Sequence, residues 1–315
     1  MVIFRNCFIS SNSKKEQINM INKYILDDLE LSYYDSGGAN DVFVLLHGFP
    51  SPYSFWDEIT QELEKKGKRV LAIEQRGYPL STLNNPEIND FNISNLCSDI
   101  ELLVKNLNIN EVSIIAHDWG TIVAWGILQR NVINVINLIS VCGGTEFPPS
   151  AIYQDMNYTK GEHYITSFQD PFNASKYLNK DIDNFIKAAY RDTFGLIDIP
   201  DLSMKSLFAQ TKSSKLVVNQ EIIDKYTMHF RDSSLFQPIC WYSNIDINIE
   251  LSNSWRREVA TKVTFLFGKN DLTVQLNDKM FTRLSNLGTN IQIQEVDNAG
   301  HWLPLTHKES VLEHI

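Results

Sequence analysis

The chain of 315 residues has few cysteines, no long apolar run and no block of basic residues. Its four cysteines, Cys7, Cys97, Cys142 and Cys240, lie far apart with no Cys-x-x-Cys pair. That spacing excludes a disulfide framework or a zinc site built on paired thiols, and it suits reduced cysteine. No apolar stretch approaches the roughly 18–20 residues that span a bilayer. The start, residues 1–10, holds only a few apolar residues before Ser11-Asn12-Ser13-Lys14-Lys15, too short for the core of a secretion signal. These absences set the expectation of a soluble, cytoplasmic protein without a transmembrane segment. Lys and Arg number 28 against 38 Asp and Glu, a net charge of −10. An acidic chain without a basic run argues against nucleic-acid binding, because backbone affinity comes from displacing counterions with Lys and Arg. Internal repeats and low-complexity segments are absent too.

What is present is an ordinary globular composition, 43% apolar and 21% charged, able to bury a large core. Short apolar runs bounded by turn residues recur at 42–46, 70–73, 112–115, 135–141 and 263–267, and read as strands buried on both faces. Residues 291–296 alternate apolar and polar, as expected nearer a sheet edge. Between the runs, Ile93, Leu96, Cys97, Ile100, Leu103, Val104 and Leu107 recur at helical spacing. Residues 119–129 form a second, almost wholly apolar helical stretch, hence a buried one. Strands alternating with helices imply an α/β fold with a mostly parallel sheet and helices on both faces. The alternation breaks between about residues 146 and 258, where aromatics and short helical patterns replace strands. That stretch reads as a helical lid inserted into the sheet domain, of the kind that excludes water and supplies substrate contacts.

Ala116-His117-Asp118-Trp119-Gly120 stands between a strand and a helix, with small residues flanking a central candidate nucleophile. Gly-x-nucleophile-x-Gly at such a junction is a nucleophile elbow, and Ala116 stands where glycine is usual. The central residue is Asp118 where an esterase would have serine. A carboxylate with a reference pKa of about 4 is already ionised at neutral pH and needs no base to activate it. It suits displacement at an sp3 carbon bearing a leaving group, giving an alkyl ester. The competing interpretation is a helix cap, since aspartate before a helix commonly accepts free N–H groups. The whole junction favours the nucleophile.

His47-Gly48-Phe49-Pro50 follows the first strong strand. At junctions of this kind the N–H groups of Phe49 and Trp119 would form the oxyanion hole. His301 follows the alternating strand and is the candidate base, in the chain order nucleophile, acid, base. His47, His117, His163, His229, His307 and His314 lack that placement, and most read as surface or turn residues. Asp271, directly after the strand ending at Phe267, is the candidate acid that orients the imidazole. Glu146 is the rival, and position favours Asp271.

Together these residues resemble the epoxide hydrolase branch of the α/β-hydrolase superfamily, from about residue 30 onward. The motifs are His47-Gly48-Phe49-Pro50, His117-Asp118-Trp119-Gly120, Gly268-Lys269-Asn270-Asp271 and Gly300-His301-Trp302. Cys240-Trp241-Tyr242-Ser243-Asn244 resembles the family's Trp-Tyr-x-Asn segment, and His163-Tyr164 with Phe168-Gln169-Asp170-Pro171 resembles its other lid-tyrosine segment. The resemblance implies an α/β-hydrolase core over residues 1–145 and 258–315, with a lid over 146–257. It implies that Tyr164 and Tyr242 bond the epoxide oxygen and protonate the leaving alkoxide, with His163 as an alternative donor. A phenol suits this, being a donor that stays protonated at neutral pH. The implied reaction opens a small hydrophobic epoxide to a vicinal diol through an ester on Asp118, hydrolysed by water that His301 activates. No metal or organic cofactor is required, and the oligomeric state is left open. Haloalkane dehalogenases share the Asp nucleophile and following Trp but usually carry Asn or Trp where this chain has Phe49. Fluoroacetate dehalogenases carry Arg where it has Trp119. Neither pattern contains paired lid tyrosines, so haloalkane dehalogenation ranks second. A catalytically silent binding protein on the same fold ranks third, since none of the motifs has been lost.

Overall fold

The apolar runs become strands because continuous Val, Ile and Leu bury well on both faces of a parallel sheet. The computed structural model describes residues 21–26, 29–145, 164–191, 215–255, 258–271, 273–274 and 284–315. The sheet is made of β1 (Ile21–Leu26), β2 (Leu29–Asp35), β3 (Val42–Leu46), β4 (Arg69–Ile73), β5 (Glu111–His117), β6 (Asn134–Val141), β7 (Lys262–Gly268) and β8 (Ile291–Val296). Among the described residues their order is β1-β2-β4-β3-β5-β6-β7-β8. The pairs β1–β2 and β2–β4 are antiparallel, and all the others are parallel. Strand β8 lies at the edge, in keeping with its alternating pattern. The β1–β2 hairpin is an addition to the expected strands. No residue of β1 is fully buried, so it lacks the apolar run that marks a central strand.

Helices α1 (Asp57–Lys65), α2 (Ile93–Asn106) and α3 (Trp119–Arg130) connect the parallel strands. From β3 through α1 the chain steps one way to β4; from β4 through α2 it crosses back over β3 to β5. Right-handed crossovers in opposite directions put α1 and α2 on opposite faces. Every residue of α3 from Trp119 to Gln129 is buried, which explains its lack of a polar face. The reversal of direction falls between β3 and β5. In open α/β sheets the crevice beyond the carboxyl ends at such a reversal is where ligands bind.

Six α-helices lie between β6 and β7 among the described residues: α4 (Tyr164–Ser167), α5 (Pro171–Leu178), α6 (Ile182–Ala189), α7 (Gln220–Arg231), α8 (Phe236–Ser243) and α9 (Ile245–Ser252). Their starts are set locally. Asp170, Asp181 and Asn219 accept the N–H of Asn173, Asn184 and Ile222, and Pro171 opens α5 without needing its missing donor. These helices are tied to loops beyond the carboxyl ends of the strands. The Trp241 indole donates to the Arg76 carbonyl (3.0 Å), and the Gln237 amide pairs both ways with the Leu83 backbone. The chain closes with α10 (Leu303–Thr306) and α11 (Lys308–Leu312), the latter packed on α1. Among the described residues, no helix is long and apolar enough to cross a membrane. Cys97, Cys142 and Cys240 are buried thiols outside any disulfide.

Candidate active site

Asp118 sits at the turn from β5 into α3 with φ 52° and ψ −123°, a conformation that costs a non-glycine residue about 1–3 kcal/mol. The turn is held by its surroundings. The Asp118 N–H donates to the Val141 carbonyl (3.2 Å), and its own carbonyl accepts from the Thr121 N–H (2.9 Å) and hydroxyl (2.7 Å). Helix α3 starts so close to β3 that a Cβ on Gly120 would lie 2.3 Å from the Leu46 carbonyl oxygen. That approach is the physical reason for the small residue there.

The Asp118 side chain makes no capping bond to α3. It turns instead toward the loop after β3, where Oδ1 accepts the Phe49 N–H at 2.8 Å. The Trp119 N–H also bonds the carboxylate. Both expected oxyanion donors therefore face one oxygen-bearing group. Gly48 makes the approach possible, since a Cβ there would lie 2.2 Å from Asp118 Oδ1.

His301 brings Nε2 to 3.8 Å from Asp118 Oδ2, and its Nδ1 lies 3.1 Å from Asp271 Oδ2. The tautomer of the neutral ring follows: Nδ1 carries the proton donated to Asp271, and Nε2 presents its lone pair toward Asp118. Asp271 Oδ1 in turn accepts the N–H (2.9 Å) and hydroxyl (2.7 Å) of Thr273. His301 is 1% exposed and Asp271 5%, whereas the Asp118 side chain keeps 15% of its surface open. A buried orienting pair beneath a reachable carboxylate is the geometry a covalent mechanism needs.

Burial raises the Asp118 carboxyl above its ordinary value, opposed by the nearby His301 and the two N–H donors. For His301, burial pulls the imidazole down, but the Asp271 and Asp118 carboxylates outweigh it and the pKa rises above 6.5. Burial pushes the Tyr242 phenol well above 10, reinforced by Tyr164 and Asp118, so it remains a proton donor.

Tyr242 on α8 packs edge-on against Phe49 (5.6 Å), Trp119 (5.1 Å) and Phe168 (5.0 Å). Tyr164 on α4 is half-buried, with its ring 6.0 Å from that of Tyr242. The two helical-segment tyrosines and the three sheet-loop residues Asp118, Phe49 and Trp119 thus converge. Glu146 and His163 lie outside the described residues. Among those described, no cluster of His, Cys, Asp and Glu is arranged to hold a metal ion.

Two histidines differ from the surface or turn placement read for most of them. His47 is fully buried: Nδ1 donates to the Gly48 carbonyl (3.0 Å), and Nε2 accepts the Gln75 N–H (3.1 Å). Burial lowers it to about 4, so it is a neutral brace for the Phe49 loop. His117, also fully buried, bonds the His301 carbonyl through Nε2 (2.8 Å) and ties the Asp118 turn to the His301 loop. Tyr190 supplies a further tie, donating to the Pro50 carbonyl (3.0 Å) while its ring stacks on Trp302 (4.2 Å). The sequence carries little signal for these, because each has a partner remote in the chain.

Bifunctional epoxide hydrolase 2 of Sus scrofa is 27% identical over 276 residues, covering 84% of this chain and 49% of that protein. The chain thus spans about half the length of the mammalian relatives it matches. Epoxide hydrolase A of Mycobacterium tuberculosis is 27% identical, covering 83% of this chain and 85% of its own. Among solved structures, epoxide hydrolase A from Mycobacterium thermoresistibile superposes with a TM-score of 0.81 at 21% identity, over 93% of this chain and 95% of that one. At that identity the likeness speaks for the fold. The family model described as alpha/beta hydrolase fold matches residues 41–308, and the chain belongs to that family.

Proposed function

We propose that the protein hydrolyses a small hydrophobic epoxide to a vicinal diol through an ester on Asp118. The observation that carries this reading is the turn of the Asp118 side chain. It caps no helix, accepts the Phe49 N–H, and faces His301 with its other oxygen. The names of the relatives, epoxide hydrolases in each case, support the same class.

In the first step an Asp118 oxygen attacks an epoxide carbon, the carbon–oxygen bond breaks, and Tyr242 and Tyr164 donate hydrogen bonds and a proton to the opening oxygen. In the second, His301 Nε2 takes a proton from water, whose oxygen adds to the ester carbonyl. The Phe49 and Trp119 N–H groups hold the resulting oxyanion until it collapses; the His301 imidazolium then protonates the departing alkoxide to release the diol, and the proton left on Asp118 returns to the tyrosinate, restoring the carboxylate. Asp271 keeps the imidazole oriented. Residues 1–145 and 258–315 act as the catalytic core and 146–257 as the lid over it.

The test is mass spectrometry of His301→Gln after incubation with candidate epoxides and haloalkanes. The expected result is an adduct on Asp118 that retains the whole epoxide mass. An alkyl adduct formed with loss of halide, and none from epoxides, assigns the site to dehalogenation instead. Modification of a serine overturns the assignment of Asp118. Absence of turnover across both compound classes favours a silent binding protein.

A further inference from the structure

The proposed reaction uses Asp271 and His301 but leaves Thr273 without a role. Thr273 follows Asp271 by two residues in the loop after β7. Its hydroxyl lies 2.7 Å from Asp271 Oδ1 and 3.0 Å from His301 Nδ1. The Thr273 N–H also donates to Oδ1 (2.9 Å). A hydroxyl has one proton and two lone pairs. With the proton given to Asp271, a lone pair is left for the imidazole, whose Nδ1–H also points at Asp271 Oδ2 (3.1 Å).

We propose that Thr273 is a positioning residue that shares the His301 Nδ1–H with Asp271, so that carboxylate and hydroxyl orient the base as one unit. The carboxylate is fixed on one edge by both Thr273 donors and presents only its other oxygen to His301. The ring is then gripped at two points instead of one, which limits its rotation about the bond to Cβ. The hydroxyl oxygen is the end of the dipole nearer the ring, so it favours the imidazolium formed when water is deprotonated.

Other described groups also face His301. Asp118 Oδ2 lies 3.8 Å from Nε2, the neutral His117 ring lies 4.7 Å away on β5, and Trp302 packs edge-on at 5.0 Å. The Cys142 thiol donates to the Gly300 carbonyl and also bonds Asp271, and burial keeps it protonated.

This inference rests on the ester mechanism for its kinetic consequences, and a direct titration separates the two. Thr273→Val keeps the branched shape and removes the hydroxyl; Thr273→Ser keeps the hydroxyl. NMR titration of His301 in the resting protein is expected to give a pKa about half a unit lower in Thr273→Val than in the wild type, with Thr273→Ser close to wild type. Single-turnover measurements are expected to show the Asp118 ester forming within twofold of the wild-type rate and decaying about tenfold more slowly. Thr273→Ser is expected to restore the decay. An unchanged His301 titration in Thr273→Val overturns the proposal, as does a serine variant that behaves like valine. If wild type forms no ester on Asp118, the mechanism fails while the titration still decides the role of Thr273.

Discussion

At the scale of single residues, Asp118 combines a costly backbone with a carboxylate that takes the Phe49 N–H of a remote loop and the Trp119 N–H at the very start of α3. The strain is tolerable because Val141 and Thr121 fix the turn from both sides. The opening step depends on donors carried by another part of the chain. Tyr242→Phe keeps the ring contacts with Phe49, Trp119 and Phe168 while removing the proton. It should slow ester formation about 10²-fold, read by quenched-flow mass spectrometry, and leave ester decay within about threefold. The base gives a second expectation. A raised His301 pKa means the neutral form that takes a proton from water fills only as pH rises above 6.5. Ester formation removes the charge on Asp118, one of the two carboxylates holding that pKa up. The rising limb of ester decay against pH should therefore lie below the His301 pKa measured by NMR in the resting protein. For folding the sign is opposite: His301 contributes stability that is complete below 6.5 and lost as pH climbs through its folded value.

At the scale of elements, the end of α6 holds the Phe49 and His301 loops together. Tyr190 stacks on Trp302 beside the base and donates to the Pro50 carbonyl beside the Phe49 N–H. The Trp302 indole returns a bond to the Ala189 carbonyl (2.8 Å). Tyr190→Phe keeps the stack and should cost about 1 kcal/mol in urea unfolding. Tyr190→Ala empties a fully buried site and should cost about 3–5 kcal/mol. Elements of this kind show what was legible from the chain alone. Central strands β3 to β7 announced themselves as apolar runs, and the junctions at His47, Asp118, Asp271 and His301 by turn residues at strand ends. Those signals are local, as the chemistry that produces them is local. The β1–β2 hairpin escaped notice because its first strand is half-exposed throughout. Thr273 lies in a loop without periodicity, and His47 depends on Gln75 across 28 positions, so neither leaves a pattern in sequence.

At the scale of the whole molecule, helix and sheet regions are joined by a buried polar pair as well as by apolar contact. Glu74, just past the end of β4, is fully buried and meets His229 of α7 at 2.6 Å, with the Tyr53 N–H at 2.8 Å. Burial pushes the Glu74 carboxyl up, but His229, His47 and the Tyr53 donor outweigh it and hold it below 4.5. Its contribution to stability is therefore present above that value and lost as pH falls through the lower folded pKa. Removing the donor from a buried carboxylate costs about 1.5–3 kcal/mol. Urea unfolding of His229→Leu at neutral pH should show a loss of that size, and Glu74→Gln should shrink the drop in stability between pH 7 and acid.

The reversal of strand order at β3 and β5 also divides the labour of the proposed reaction. Nucleophile, oxyanion donors, acid and base all hang from the sheet, whereas the donors for ring opening arrive on α4 and α8. Substitutions among the helices can thus retune which molecule is accepted and which carbon is attacked, while the cleavage of the ester stays as it is. Selectivity and turnover become separately adjustable traits, each heritable on its own stretch of chain.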